Sequence, residues 1–329
     1  MLTLGSTRMP ISRMGLGLAA LGRPGYINLG HAEALQGNYE VGAMEGRAHE
    51  VLDAAWEAGV RYFDAARSYG RAEEFLGNWL RSRRIGPETV GVGSKWGYTY
   101  TANWQVEAEK HEVKEHSPAV LQRQWQESQA NLGGYLQLYQ IHSATLESGV
   151  LENRAVLAEL ARLKGEGVAI GLSLSGPGQA EVLKRAMSVI IEGVRLFDSV
   201  QATWNLLEPS AGTTLQEAQA AGLGVIVKEA LANGRLTPAN QHPTFANQRA
   251  LLERQAQRLN TTLDALALAA VLAQPWVGVT LSGAATVEHL HSNLKALAVQ
   301  WDEEAASQLA TLAESPEVYW ETRGRLAWN

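Results

Sequence analysis

Cysteine is absent from the 329 residues, which excludes disulfides, thiolate nucleophiles and cysteine-held zinc. The absence fits a reducing compartment. Basic blocks are absent as well. Charged residues make up 19% of the chain and the net charge is −6, so neither a nucleic-acid partner nor an anionic membrane surface is expected. The opening "MLTLGSTRMPISRMGLG" lacks the charged segment and apolar core of a secretory signal, and a cytoplasmic location is expected. The most apolar stretch, Leu263 to Ala273, is interrupted by Asp264 and stopped by Gln274 and Pro275, too short to span a bilayer. His111, His116, His289 and His291 have no companions at metal-ligand spacing, so no metal is expected. What the chain does have is 46% hydrophobic side chains, enough for a large core.

Short apolar runs alternate with amphipathic segments of helical length. Strands are expected at Met14 to Leu16, Val60 to Asp64, Val90 to Lys95, Leu136 to His142, Ala169 to Ser173, Ser199 to Ala202, Gly224 to Lys228 and Val277 to Leu281. Helices are expected at Arg47 to Glu57, Ala72 to Arg83, Pro118 to Asn131, Asn153 to Lys164, Gly178 to Met187, Leu215 to Ala221, Leu263 to Ala273, Thr286 to Leu297 and Asp302 to Ala313. Ser117-Pro118 reads as a cap followed by a first-turn proline. The repeating βα pattern argues a parallel sheet, and eight such units in one chain of 329 residues favour a single closed (β/α)8 barrel. The glycine run Gly15 to Gly22 lacks the spacing of a dinucleotide-binding turn and is a false match. The segment "LTLGSTRMPI" reads as a small hairpin able to plug the barrel floor.

Three segments exceed what a minimal barrel needs: Leu18 to Gly46, Gly97 to Ser117 and Leu231 to Gln248. All follow strands, so all leave the C-terminal face, where barrels carry their chemistry. The apolar runs ending there deliver Asp64, Lys95 and His142, with Tyr69 just past the second strand. One chemistry that uses this set is carbonyl reduction. A tyrosine beside a lysine can give up a proton, because the ammonium favours the phenolate. A carboxylate holds the lysine, and an imidazole orients the carbonyl oxygen.

The strings "MGLGLAALG", "FDAARSYGRAEEFLG", "GSKWG", "LYQIHS", "VAIGLSLSG", "VQATWNLLE" and "SGAATVEHLHSNLKAL" resemble the aldo-keto reductase superfamily over nearly the whole chain. Ala65 stands where that family usually has threonine. The resemblance implies a nicotinamide dinucleotide held in extended form on a barrel, with Asp64, Tyr69, Lys95 and His142 as the catalytic tetrad and Tyr69 as acid/base. It further implies a cofactor site built from Gly17, Leu18, Ser173, Gln201, Lys228, Ala230, Leu231, Gly234, Leu236, Gly283, Thr286, His289 and Asn293. Two positions depart from the family pattern: Leu174 follows Ser173 in place of asparagine, and Lys228 replaces a stacking aromatic. No lysine or arginine lies between Val277 and Leu294, and His289 stands where related enzymes often carry arginine, so either NADP or NAD is expected.

Trp96, Tyr98, Trp104 and Trp204 are candidate substrate walls, with Tyr100 beside them; packing of the loop onto the barrel rim is the other reading. Trp320 and Trp328 either close the pocket or dock the tail. Arg67 reads as a salt bridge at a helix start rather than a contact to an anionic substrate. The expected function is an NAD(P)(H)-dependent oxidoreductase that interconverts an aldehyde, ketone or sugar with its alcohol, its partners being small molecules. The alternatives are a cofactor-binding regulatory subunit with little turnover and a phosphate-binding barrel isomerase or lyase.

Overall fold

The computed structural model describes residues 2–329. Eight parallel strands form a closed barrel. We number them β1 (Met14–Gly17), β2 (Tyr62–Asp64), β3 (Gly91–Trp96), β4 (Leu138–Ala144), β5 (Ala169–Leu174), β6 (Ser199–Thr203), β7 (Gly224–Lys228) and β8 (Val279–Ser282). Each pairs with the next, and β8 closes on β1 through Thr280–Met14 and Ser282–Leu16. The expected strands are all present, displaced by at most two residues at either end.

Alternation along each strand sorts side chains between two layers. In β2, Phe63 points outward and meets Trp79 of the helix Ala72–Ser82 with ring centres 5.3 Å apart. Its neighbours Tyr62 and Asp64 point inward, where the Tyr62 hydroxyl donates to Asp64 at 3.1 Å. Outward residues pack against the surrounding helices and form the main core. Inward residues at the bottom, among them Tyr62, Leu138, Ile226 and Val279, cluster with Leu4, Met9 and Ile11 of the N-terminal hairpin. That hairpin pairs Leu2–Thr3 with Pro10–Ile11, and its fully buried Leu4 presses on the start of β7. The barrel is therefore shut at its N-terminal end.

Local chemistry fixes the helices. The Ser117 hydroxyl accepts from the Val120 N–H at the start of Pro118–Leu132, and Asn153 caps Arg154–Gly165 in the same way. Some elements differ from expectation. The first long helix starts at Val41 rather than Arg47, because Met44 extends its buried face by a turn. Leu231 to Gln248 is not all loop: a helix begins at Ala246 and runs to Arg258, burying Leu252, Gln255 and Ala256. Half of its other residues are glutamine or arginine, which hides the apolar stripe. A further helix, Pro316–Gly324, buries Tyr319. Within Gly97 to Ser117, Tyr98–Tyr100 pairs with Glu112–Lys114 as a hairpin. No helix among the described residues is long and apolar enough to cross a membrane.

Candidate active site

Strand geometry brings the four expected residues to the C-terminal mouth of the barrel. Asp64 ends β2 and Lys95 lies one residue before the end of β3; both are buried, and the Lys95 ammonium donates to the Asp64 carboxylate. Lys95 also donates to the Ala65 carbonyl at 2.9 Å. The other Asp64 oxygen accepts from Tyr62, from Gln201 at 2.9 Å and from Gln140 at 3.4 Å. This carboxylate therefore has partners on four strands, which is how a buried ion pair becomes tolerable. The Lys95 Nζ lies 4.9 Å from the centre of the Tyr69 ring.

His142 comes from β4, and the strand is irregular there. The pairing with β5 shifts between Ile141 and Ala144, and Ser143 adopts a positive φ of 52°. Such a bulge re-aims the adjacent side chain. It is pinned by the Ser143 N–H, which donates to the Ser173 hydroxyl at 2.8 Å. The His142 ring stands nearly perpendicular to that of Tyr69, with centres 5.5 Å apart, and lies 4.9 Å from that of Tyr98.

Burial sets the protonation of both rings. It holds the His142 imidazole well below the usual histidine range, and the cations Lys95, Lys228 and Arg23 add to the effect. The imidazole is neutral and carries a single N–H. Burial, with the Asp64 charge next, pushes the Tyr69 phenol well above 10, so it is protonated. At the end of β7, Glu229 resists the upward push of burial. Arg323 and Lys228 outweigh it and hold the carboxyl down at about 2. Arg323 donates to Glu229 at 2.8 Å, and Lys228 donates to the Thr203 hydroxyl at 2.9 Å.

A cavity of about 1140 Å³ opens over this mouth. Asp64, Tyr69 and His142 line it, while Lys95 stays behind Asp64 in the wall. Of the expected cofactor residues, Gly17, Gln201, Lys228, Ala230, Leu231, Gly234, Gly283, Thr286, His289 and Asn293 line the same cavity. Leu18, Ser173 and Leu236 do not. Leu18 and Leu236 are packed into apolar clusters, and Ser173 supports the bulge beside His142.

The aromatic walls need correction. Tyr98 lines the cavity, but Trp96, Trp104 and Trp204 do not. Trp96 follows the inward Lys95 and so points outward, fully buried against His116. Trp104 donates to the Tyr39 carbonyl at 2.6 Å and packs edge-on to Phe75. Trp204 packs on Trp276. Trp328 reaches the cavity and stacks on His111 at 3.9 Å, whereas Trp320 lies against Tyr319. Arg67 is paired with Glu73 and Glu127, each at 2.8 Å. Sequence reasoning passed over Arg23, Tyr26, Glu112, Glu229 and Arg323, which also line the cavity. Arg23, Tyr26 and Glu229 sit in loops, Glu112 in the hairpin after β3 and Arg323 in the C-terminal helix, all outside the repeating βα units, so no spacing marks them.

Fold and mouth together define a (β/α)8 protein with a long cavity beside a tyrosine, a histidine and a buried lysine–aspartate pair. Residues 14–314 match the model of the aldo/keto reductase family, and the chain belongs to that family. It is 27% identical over 316 residues to the uncharacterized oxidoreductase YqkF of Bacillus subtilis (strain 168), covering 89% of each chain. It is 24% identical over 342 residues to aldo-keto reductase str7 of Strobilurus tenacellus, covering 97% of this chain and 96% of that one. Among solved structures it is similar to the aldo-keto reductase AKR11C1 from Bacillus halodurans in its holo form. That match has a TM-score of 0.73 and 22% identity, covers 95% of this chain and 96% of that one, and shows the fold.

Proposed function

We propose that this chain is an NAD(P)(H)-dependent oxidoreductase that interconverts an aldehyde, ketone or sugar carbonyl with the corresponding alcohol, Tyr69 being the general acid/base. One observation carries the reading: a protonated phenol and a neutral imidazole face one cavity beside Asp64, with Lys95 paired to that carboxylate directly behind.

The cavity residues fit a nicotinamide dinucleotide. Its volume suits a ligand of that length. Where a Cβ on Gly283 would stand there is open space. Just beyond it, Thr286 caps the helix Val287–Leu294, whose N-terminal main-chain N–H groups favour a phosphate. Asn293 donates to the Ser282 hydroxyl at 2.8 Å on the same wall, and Gln201 offers an amide near Asp64. A bound dinucleotide of this kind supplies or accepts the hydride.

The chain's own residues handle the oxygen and the proton. The single N–H of His142 orients the substrate oxygen. Tyr69 gives its proton to that oxygen in reduction and takes one back in oxidation. Lys95, fixed by Asp64 and the Ala65 carbonyl, stabilises the phenolate left behind. Tyr98 and Trp328 wall the substrate end.

The lining between Thr262 and Asn293 contains Asp264 and Glu288 and no lysine or arginine. That charge supports use of NAD alongside NADP, because a 2′-phosphate favours a cationic partner. The test is a titration with NADH and with NADPH followed by tryptophan fluorescence, with turnover measured on a panel of sugars and aldehydes. Tyr69→Phe is expected to retain cofactor binding and to lose about 10²–10⁴-fold in turnover. Failure of both cofactors to bind, or full activity in the variant, would sink the proposal.

A further inference from the structure

We propose that Arg23 is a positioning residue for the proton transfer: its guanidinium, carried in by the loop after β1, clamps the Tyr69 ring and favours the ionised phenol. The inference rests on Tyr69 acting as the acid/base.

Arg23 is 2% exposed although it lies in a loop. Its Cζ is 5.1 Å from the centre of the Tyr69 ring, 5.2 Å from that of Tyr26 and 4.8 Å from that of Trp328. Its Nη1 donates to the carbonyl of Ser68, the residue before Tyr69, at 2.9 Å, and to Glu112 at 3.0 Å. One side chain thus joins the first long loop, the hairpin after β3 and the C-terminal tail to the segment that bears the phenol.

The backbone is built to bring it there. A Cβ on Gly22 would stand 2.3 Å from the Tyr69 carbonyl oxygen. Gly70 has φ +59°, and a Cβ there would meet the Gly22 carbonyl oxygen at 2.4 Å. The Arg71 N–H donates to that same oxygen at 2.7 Å. Only glycines allow two main chains to approach so closely, and the contact sets Arg23 beside Tyr69.

The charges around Tyr69 explain why a further cation matters. From β2 and β3 come Asp64 and Lys95, paired with each other; after burial, Asp64 does most to raise the phenol. His142 on β4 is neutral, and the phenols of Tyr26, Tyr62 and Tyr98 are held protonated, chiefly by burial. Glu112 and Glu229, from the loops after β3 and β7, raise the phenol, and Arg23 lowers it. Lys228 at the end of β7 and Arg323 in the helix Pro316–Gly324 are engaged with Glu229. A guanidinium remains charged throughout the working pH range, so its influence is constant.

The full chain, carrying an isotope-labelled tyrosine ring carbon, allows the Tyr69 phenol to be titrated by NMR without any substrate. Its signal is assigned by its loss in Tyr69→Phe. Arg23→Met is expected to move the titration toward alkali by about one pH unit, a ten-fold loss of phenolate on the rising limb. Arg23→Lys should stay near the native position. Glu112→Gln, which removes a facing carboxylate, should move it the other way. This pair carries the test if Arg23→Met does not fold. A purely structural arginine would lower the melting temperature and leave the titration unmoved. Coincident titrations overturn the inference; where the phenol stays protonated to the alkaline limit of folding, the pH profile of p-nitrobenzaldehyde turnover carries the comparison, and profiles that coincide in native protein and Arg23→Met overturn it. Turnover of p-nitrobenzaldehyde separates the two readings. Tyr69→Phe as active as the native protein would remove the proposed function, whereas an unmoved titration with Tyr69 still required would remove only the role of Arg23.

Discussion

The floor and the mouth of this barrel are built on the same strands yet treated in opposite ways. On β2, Tyr62 joins the floor cluster while Asp64, one step of the pleat higher, is paired with Lys95. On β4, Leu138 packs below and His142 faces the cavity above; on β7, Ile226 gives way to Lys228. Each pair lies on one face of its strand, so the change is in height and not in orientation. The floor is stabilised by removing apolar surface from water, helped by a hairpin that covers it. The mouth holds buried charges and polar rings whose desolvation is costly unless each finds a partner. Apolar packing resides below and, on the proposed function, chemistry above, which leaves the loops of the upper face free to diversify.

The largest effect should come from the mouth. Lys95→Met leaves Asp64 without its ammonium, and removal of one member of a buried pair costs about 3–5 kcal/mol. Turnover should fall at least ~10²-fold in the same variant. Urea unfolding and steady-state rates measure the two losses. Leu4→Ala should cost about 2–5 kcal/mol in the same unfolding experiment with kcat unchanged. A comparable loss of kcat in Leu4→Ala would break the separation of floor from mouth.

A smaller, regional effect should appear in mild acid. Burial holds His31 and His116 down at about 4, below the ordinary 6.5. A histidine depressed in the folded state adds stability that is complete above 6.5 and is lost as pH falls toward 4. Both sit in the long segments at the mouth, His31 opening a short helix, and the floor cluster contains no group that titrates in that range. Hydrogen exchange between pH 7 and 4 should therefore show residues 18–40 and 97–117 losing protection before the hairpin at 2–11. Simultaneous loss would mean that the two regions open as one unit.

What the sequence disclosed follows from the same contrast. The strands were legible because every one carries a short apolar run closed by a turn, and Asp64, Lys95 and His142 stood out as polar ends to such runs. Of the two readings of Trp96, the wall fails because Lys95 before it points into the barrel, and adjacent residues of a strand cannot both do so. The bulge at Ser143 left no mark, since its cause is a hydrogen bond to Ser173 on another strand. Arg23 was invisible for a related reason. Its partners Ser68, Tyr69, Glu112 and Trp328 are distant in the chain and meet only in the fold. The helix Ala246–Arg258 was missed because few of its side chains are buried.

The hairpin beneath β7 has a consequence for traffic. With Leu4, Met9 and Ile11 sealing the lower end, the vessel is blind, and whatever reaches Tyr69 must come and go past one rim. Two reactants that share a single doorway queue: the one lodged deeper arrives first and departs last. If the chain turns over two reactants as proposed, the residues of that rim would set the order in which they enter and leave.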